Sequence, residues 1–422
     1  MLRFHWLKRL RQSERGNVLV IGAASLPLLM GATALAVDTI QLSLWKRQMQ
    51  RAADSAAIAG AYALDQGTPI AAAIANDLDE HETPDATDAV ATGSFTGGTQ
   101  AAETCAVRGG DPCYGQSVQV TLSAAPRLPF ISFFTGAASP ITAKAVAALA
   151  PDGRYCMISL YDGDEPGITA GGNGKVDLNC GAGTNSESDT AIVADGSSEF
   201  EASPLGSVGN IGTGNNFIGN PIIRPFSRPI RDPLRHIQDP APDPSDCTTA
   251  FDDSPGQVQE IPDGACYSSM IIQGHPKFLG EVYVYGGDVT INSTARITDD
   301  GASTLILTGP DGEAGNMHVN GNAVMTLTAP TSGPYSGVVL YRDRRASVAT
   351  VTLNGGATLN LTGAMYFPTT DLTILGNFVL NSECLQLVGR KLNFQGTTDI
   401  DNECDTNDGT DPFQISRVRI VG

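Results

Sequence analysis

The sequence is poor in the residues that most enzymes are built around. It contains no P-loop, no GxSxG, no HExxH and no dinucleotide-binding glycine fingerprint. Its five histidines (5, 81, 236, 275 and 318) are scattered without metal-ligand spacing, and His318 reads as a surface residue of a strand. The eight cysteines form no CxxC, which argues against a zinc site and for disulfides in an oxidising compartment. Charged residues are only 17% and aromatics only 6% of 422 residues. With 47 glycines and 25 prolines, that mix suits short strands joined by tight turns better than a helical bundle.

Positive charge is scarce too, except at one end. Residues 1–51 hold eight Lys/Arg against two Asp/Glu, a net of +6; the chain totals −19, so residues 52–422 carry −25. An acidic body argues against nucleic acid as a partner.

Residues 17–37 are free of charged side chains. At about 1.5 Å per residue such a helix spans roughly 31 Å, close to a hydrocarbon core. Pro27 within it is tolerable in a membrane helix. Arg3, Lys8, Arg9, Arg11 and Arg15 precede it, so the positive-inside rule puts residues 1–16 in the cytoplasm and the body outside it. The competing reading is a signal peptide cleaved after Ala34-Leu35-Ala36, but the apolar run exceeds the usual h-region. A second helical stretch covers residues 38–64, where Trp45, Lys46 and Arg47 would suit a lipid surface. Ala52, Ala53, Ala56, Ala57 and Gly60 put small residues at spacings of three and four. Two readings stay open: a face on which a partner helix docks, or an Ala-rich helix packed on its own domain.

Several marks of this N-terminal segment come as a set: Gly16-Asn17 opening the apolar run, Pro27 inside it, Val37-Asp38 closing it, and then QRAADSAA over residues 50–57. Over about residues 14–64 the chain resembles the TadE/TadG-like family of tight-adherence (Flp) pilus assembly. SVQVTLSAAPRLPFISFF, ITAKAVAALA, YRDRR, GAMYFP and the closing Cys384–Cys404 segment resemble it more loosely. The resemblance implies a membrane-anchored envelope component without cofactor or catalytic residues, working beside other pilus-assembly or pilin-like proteins. Two family features are missing. Pilin-like relatives cut by prepilin peptidase have Glu five residues after the Gly, where this chain has Ile21. Asp195-Gly-Ser197-Ser-Glu199 also breaks the DxSxS metal motif of some large relatives.

Val118, Val120 and Leu122 alternate with polar residues as a half-buried strand, and residues 141–150 read as a second, so residues 38–150 are expected to form a small α+β stalk domain. From about residue 151 a repeat appears. VNGNAVMTL, beginning at Val319, aligns with LNGGATLNL, beginning at Leu353; related copies centre on Gly376, Gly396, Gly172 and Gly196. Intervals of about 20–24, and one of 34 carrying the Tyr341–Arg345 loop, predict a right-handed parallel β-helix (solenoid) over 151–422. Cysteine spacing fits one turn of it: Cys156 with Cys180, and Cys384 with Cys404. Cys247 with Cys266, and Cys105 with Cys113, follow by elimination. Proline density over 221–247 predicts an extended excursion, either crossing the solenoid or binding a partner.

The expected architecture is therefore mainly β, anchored by one helix. A bacterial inner-membrane protein with a periplasmic body fits best. A surface adhesin is the second reading, and a β-helix carbohydrate-active enzyme using Arg342, Asp343, Arg344 or Arg345 the third. Those four more plainly read as a solvated or salt-bridged turn. DTNDGTD at 405–411 resembles a calcium loop with its glycine one place early, and a solvated turn accounts for it.

Overall fold

The computed structural model describes residues 17–80, 117–126, 128–136, 139–212, 214–377, 379–382, 384–402 and 412–421. The chain is mainly β and forms two compact units, one of residues 1–151 with 416–422, the other of residues 152–415.

In the first unit the two predicted helical stretches are one continuous helix, α1 (Asn17–Gln66), with Pro27 inside it. Gly67 at φ +62° closes α1, and Thr68 and Pro69 lead into α2 (Ile70–Glu80). Ser55 Oγ, on α1, donates to Asp77 Oδ1 on α2 at 2.9 Å. Strands β1 (Ser117–Ala124) and β2 (Ile141–Ser159) pair antiparallel with Val120 opposite Ala145. The alternation seen in the sequence has its expected cause: Val118, Val120 and Leu122 face inward on Ala53, Ala56, Ala57 and Ile74. The segment from Ser416 onward returns to this unit, where Val421 N–H donates to Val146 O at 2.8 Å.

In the second unit the strands form three parallel ladders, and the chain visits them in fixed rotation, so between Ala250 and Thr328 each strand pairs with the third strand after it. One ladder aligns Ile272, Ile291, Val319, Leu353, Ile374 and Phe394 as successive partners. Another aligns Ile297, Met325, Leu359, Leu380 and Ile400. These side chains are buried in one apolar core. Each fully buried aliphatic contributes about 1.5–3 kcal/mol relative to exposure.

The order along the ladders differs from the order along the chain. Phe394 pairs onward with Ala170, Ile400 with Val176, and Leu387 with Met157. The strands of residues 157–224 thus extend the ladders beyond the strands of residues 385–402. A column of glycines records this order. A Cβ on Gly172 would lie 2.9 Å from Gly396 N, one on Gly396 3.0 Å from Gly376 N, and one on Gly196 3.0 Å from Gly172 O. All four hold positive φ, so both backbone conformation and close approach demand glycine.

Because the strands begun at Met157 end near Arg224 while the others start at Ala250, the chain must cross between opposite ends of the ladders. The proline-rich segment makes that crossing. Ile230 exchanges two hydrogen bonds with Asn185, Asp232 accepts from Tyr366 Oη at 2.6 Å, Pro240 O accepts from Arg345, and Cys247 is bonded to Cys266 in the terminal strand Ala265–Tyr267. Cys156 and Cys180 are joined as well, with Cα atoms 5.8 Å apart. Cys384 is disulfide-bonded; Cys404, like Cys105 and Cys113, lies outside the described residues.

Candidate functional site

Two groupings of side chains stand out, one in each unit. The first centres on α1. Its N-terminal half is long and apolar enough to cross a membrane, and its most apolar window is wholly unburied. Leu28, Leu29, Met30 and Leu35 are exposed, although residues of this size normally avoid water.

The exposed run ends at a fully buried carboxylate, Asp38. Its Oδ2 accepts from Phe130 N–H at 3.1 Å and from Ile131 N–H at 2.5 Å. These amides open the short helix α3 (Ile131–Thr135), whose own preceding residue, Phe130, provides no side-chain cap. Asp38 is therefore a remote cap, joining α1 to the β1–β2 connection and satisfying amides that a helix start leaves open. This explains why the apolar run should close on an aspartate, a role for which the sequence offered only the family mark. Replacing Asp38 by Ala is expected to destabilise this junction by about 1–3 kcal/mol. Hydrogen exchange checks it: the Phe130 and Ile131 amides should exchange faster, and unchanged rates would remove the capping role.

Past Asp38 the small-residue face of α1 is closed. Ala52, Ala53, Ala56 and Ala57 are buried, and a Cβ on Gly60 would sit 2.9 Å from Val118 Cγ1 and 3.0 Å from Ile74 Cγ1. The close approach serves β1, β2 and α2 of the same chain. Of the two open readings, the structure has the helix packed on its own domain, and that face offers no place for a partner helix while this packing holds.

The second grouping lies at the Tyr341–Arg345 turn. Of the two readings, solvated or salt-bridged, the turn takes the second: Arg342 and Asp343 are buried, and Arg345 pairs with Asp343 at 2.7 Å. The strand Val338–Arg342 is buried on both faces, the core on one side and the proline-rich strap on the other, which accounts for its unbroken apolar run. Arg342 donates to Gly315 O, Ala314 O, Ser347 O and the Thr369 hydroxyl at 2.8–3.2 Å. Asp343 takes a bidentate pair from Arg345 at 2.7 and 3.0 Å and a bond from Thr308 at 2.7 Å. Burial pushes the Asp343 carboxyl up, yet these donors outweigh it and hold it below the usual carboxylate range.

Arg344 turns the other way. It donates to the strap carbonyls of Leu234, Arg235 and Ile237 at 2.8–3.1 Å and lies 5.6 Å from the Tyr366 ring centre. Tyr335, Tyr341 and Tyr366 pack ring to ring beneath the strap, and burial pushes their phenols up. Every charged group of this turn is thus occupied in holding backbone or strap.

Among the described residues no group of His, Cys, Asp and Glu is arranged to hold a metal. In the 195–199 string, Ser198 Oγ donates to Asp195 O at 2.8 Å, an ordinary turn bond. Residues 405–411 lie outside the described residues. His318 is exposed on the strand Met317–Val319.

Against known proteins, one family model matches, described as putative Flp pilus-assembly TadE/G-like, over residues 16–63. No curated protein and no solved structure matches the chain. The matched segment takes in the exposed apolar run, Asp38 and the closed alanine face, so over residues 16–63 the chain is similar to the TadE/G-like Flp pilus-assembly family.

Proposed function

We propose that the chain is a non-catalytic, membrane-anchored envelope component of a tight-adherence (Flp) pilus assembly or secretion apparatus. The observation that carries this reading is the coincidence of the family match with an apolar helix segment that none of the described residues covers. The N-terminus faces the cytoplasm, on the strength of the five basic residues before the run. The body lies in the periplasm, where the two described disulfides are stable. The rotation of the chain among three parallel ladders supports a right-handed β-solenoid, the hand parallel crossovers almost always take. Such a body serves as a rigid spacer or binding surface beside other pilus-assembly or pilin-like proteins.

The test is fractionation of cells expressing the full chain, with the mature N-terminus mapped by mass spectrometry. An intact N-terminus in the inner membrane is expected, with the body shielded from protease until the outer membrane is opened. A chain beginning near Val37 and found free or at the cell surface would overturn the anchored reading.

A further inference from the structure

The β1–β2 connection carries an apolar tip that the pilus-assembly reading leaves without a role. Phe133 is 83% exposed and Phe130 42%, on a chain with few aromatics. The tip is not a loose loop. Leu128 N–H donates to Ser132 Oγ at 2.8 Å, Ser132 N–H returns a bond to Leu128 O at 3.1 Å, and Gly136, at φ +66°, closes α3 with a bond to Ser132 O. Leu128 itself is buried, pinning the base. The protein thus spends backbone order on presenting phenyl rings outward.

The position of the tip identifies what it meets. Asp38 holds the amides of Phe130 and Ile131 within 3.1 Å, so the tip is fixed beside α1 at the level where the charge-free run ends. Exposed apolar side chains on α1 continue past that level, with Ile40 and Leu44 both exposed, before Lys46 and Arg47. An aspartate at a lipid boundary is costly unless its charge is met by donors, and the tip supplies two. Apolar side chains, a satisfied carboxylate and then basic residues form the succession expected where a protein passes from hydrocarbon through headgroups to water.

We infer that the Phe130–Phe133 tip is a second membrane contact, a wedge that inserts its rings into the outer leaflet of the bilayer that α1 crosses. It rests on the reading of α1 as a spanning helix. Interfacial apolar elements of this kind sit about 5–10 Å into the headgroup–acyl boundary. With one helix crossing and one tip seated beside it, the first unit has two points of attachment, which fixes the rotation of α1 about its own axis. A bare single span leaves that rotation undetermined.

Depth-dependent quenching tests both layers of the idea at once. The full chain, with Trp6 and Trp45 replaced by Phe, is reconstituted into phosphatidylcholine vesicles brominated either high on the acyl chain or near its end. One variant carries Leu28→Trp, in the middle of the apolar run, and others carry Phe133→Trp or Phe130→Trp. Leu28→Trp should be quenched most by the deep bromines. Phe133→Trp and Phe130→Trp should be quenched most by the shallow ones, with blue-shifted emission and a loss comparable to that of Leu28→Trp in deep-bromine lipid. If Leu28→Trp is quenched while both tip variants keep water-like emission and respond only to aqueous acrylamide, the wedge is wrong and the span stands. If Leu28→Trp is not quenched, the spanning reading fails and takes the wedge with it.

Discussion

Replacing Arg342 by Met should cost about 3–5 kcal/mol, enough to consume much of the stability of a typical domain. The size follows from what the guanidinium holds. Its carbonyl partners, Ala314, Gly315 and Ser347, lie in segments that connect strands, and such connections have no ladder partners of their own. Arg342 is 1% exposed, so water cannot replace it when it is removed. Methionine restores apolar volume but no donor; the carbonyls it leaves open are only part-buried, so the cost comes from losing four bonds to one charged group together, at about 1 kcal/mol each. Burial pushes the guanidinium pKa down, while nearby Glu313 and Asp343 push it up; the group stays charged. Arg342→Lys keeps that charge on a point donor without the planar fork, and should lose a smaller share, about 1–2 kcal/mol. Urea unfolding followed by the β-sheet circular dichroism signal checks the series. A methionine variant with the parental midpoint would mean that the turn relaxes and finds other donors.

This buried arginine also marks where sequence reading reached its limit. Four charged residues in a row read as a solvated or a salt-bridged turn, and only the strap passing over them decides for the second. The same holds for Ala53 and Ala57, because small residues at helical spacing permit close approach without naming what approaches. Readable features were those with a local cause. Val118, Val120 and Leu122 alternate because one face is buried. Gly376 and Gly396 recur because each turn of the ladders needs a left-handed residue at the same corner, and the strand pairings of Val319, Leu353, Ile374 and Phe394 keep the intervals read from those glycines. The order of the strands had no local cause. Whether residues 157–224 pair ahead of Ala250 or beyond Asn402 leaves every interval and every alternation unchanged. The choice is expressed only in the direction in which the prolines lead the chain, and Gly172 against Gly396 is a contact between residues far apart in sequence.

The strap that settles this order should be the protein's most disulfide-dependent part. Cys247 ends the strap and Cys266 lies on a terminal strand, with 19 residues of separation. Closing a loop of that length removes chain entropy worth about 3 kcal/mol from the unfolded state. The location then decides where the loss is felt. Among the described residues, Ala250–Asp252, Val258–Ile261 and Ala265–Tyr267 each have a parallel partner on one side only, in Ser269–Ile272, His275–Phe278 and Glu281–Tyr285. Inner strands are held from both sides, as Val289–Ile291 is by its neighbours. The bridge stands in for the missing neighbour and ties the strap down at the same point. In a Cys247→Ser, Cys266→Ser variant, amide exchange should rise about a hundredfold across residues 250–267, the factor that about 3 kcal/mol of local opening implies. Protease should cut within residues 225–247, while exchange in residues 358–375 stays near the parental rate. Removing Cys156 and Cys180 frees a loop of similar length, 24 residues, but Cys156 lies in a strand paired on both sides and Cys180 directly precedes another, Gly181–Thr184. The loss there should appear as a lower global midpoint without local opening of the strap. Equal acceleration everywhere in both variants would show that the strap and the terminal strands unfold only with the whole unit, and that the Cys247–Cys266 bridge pins no separate end.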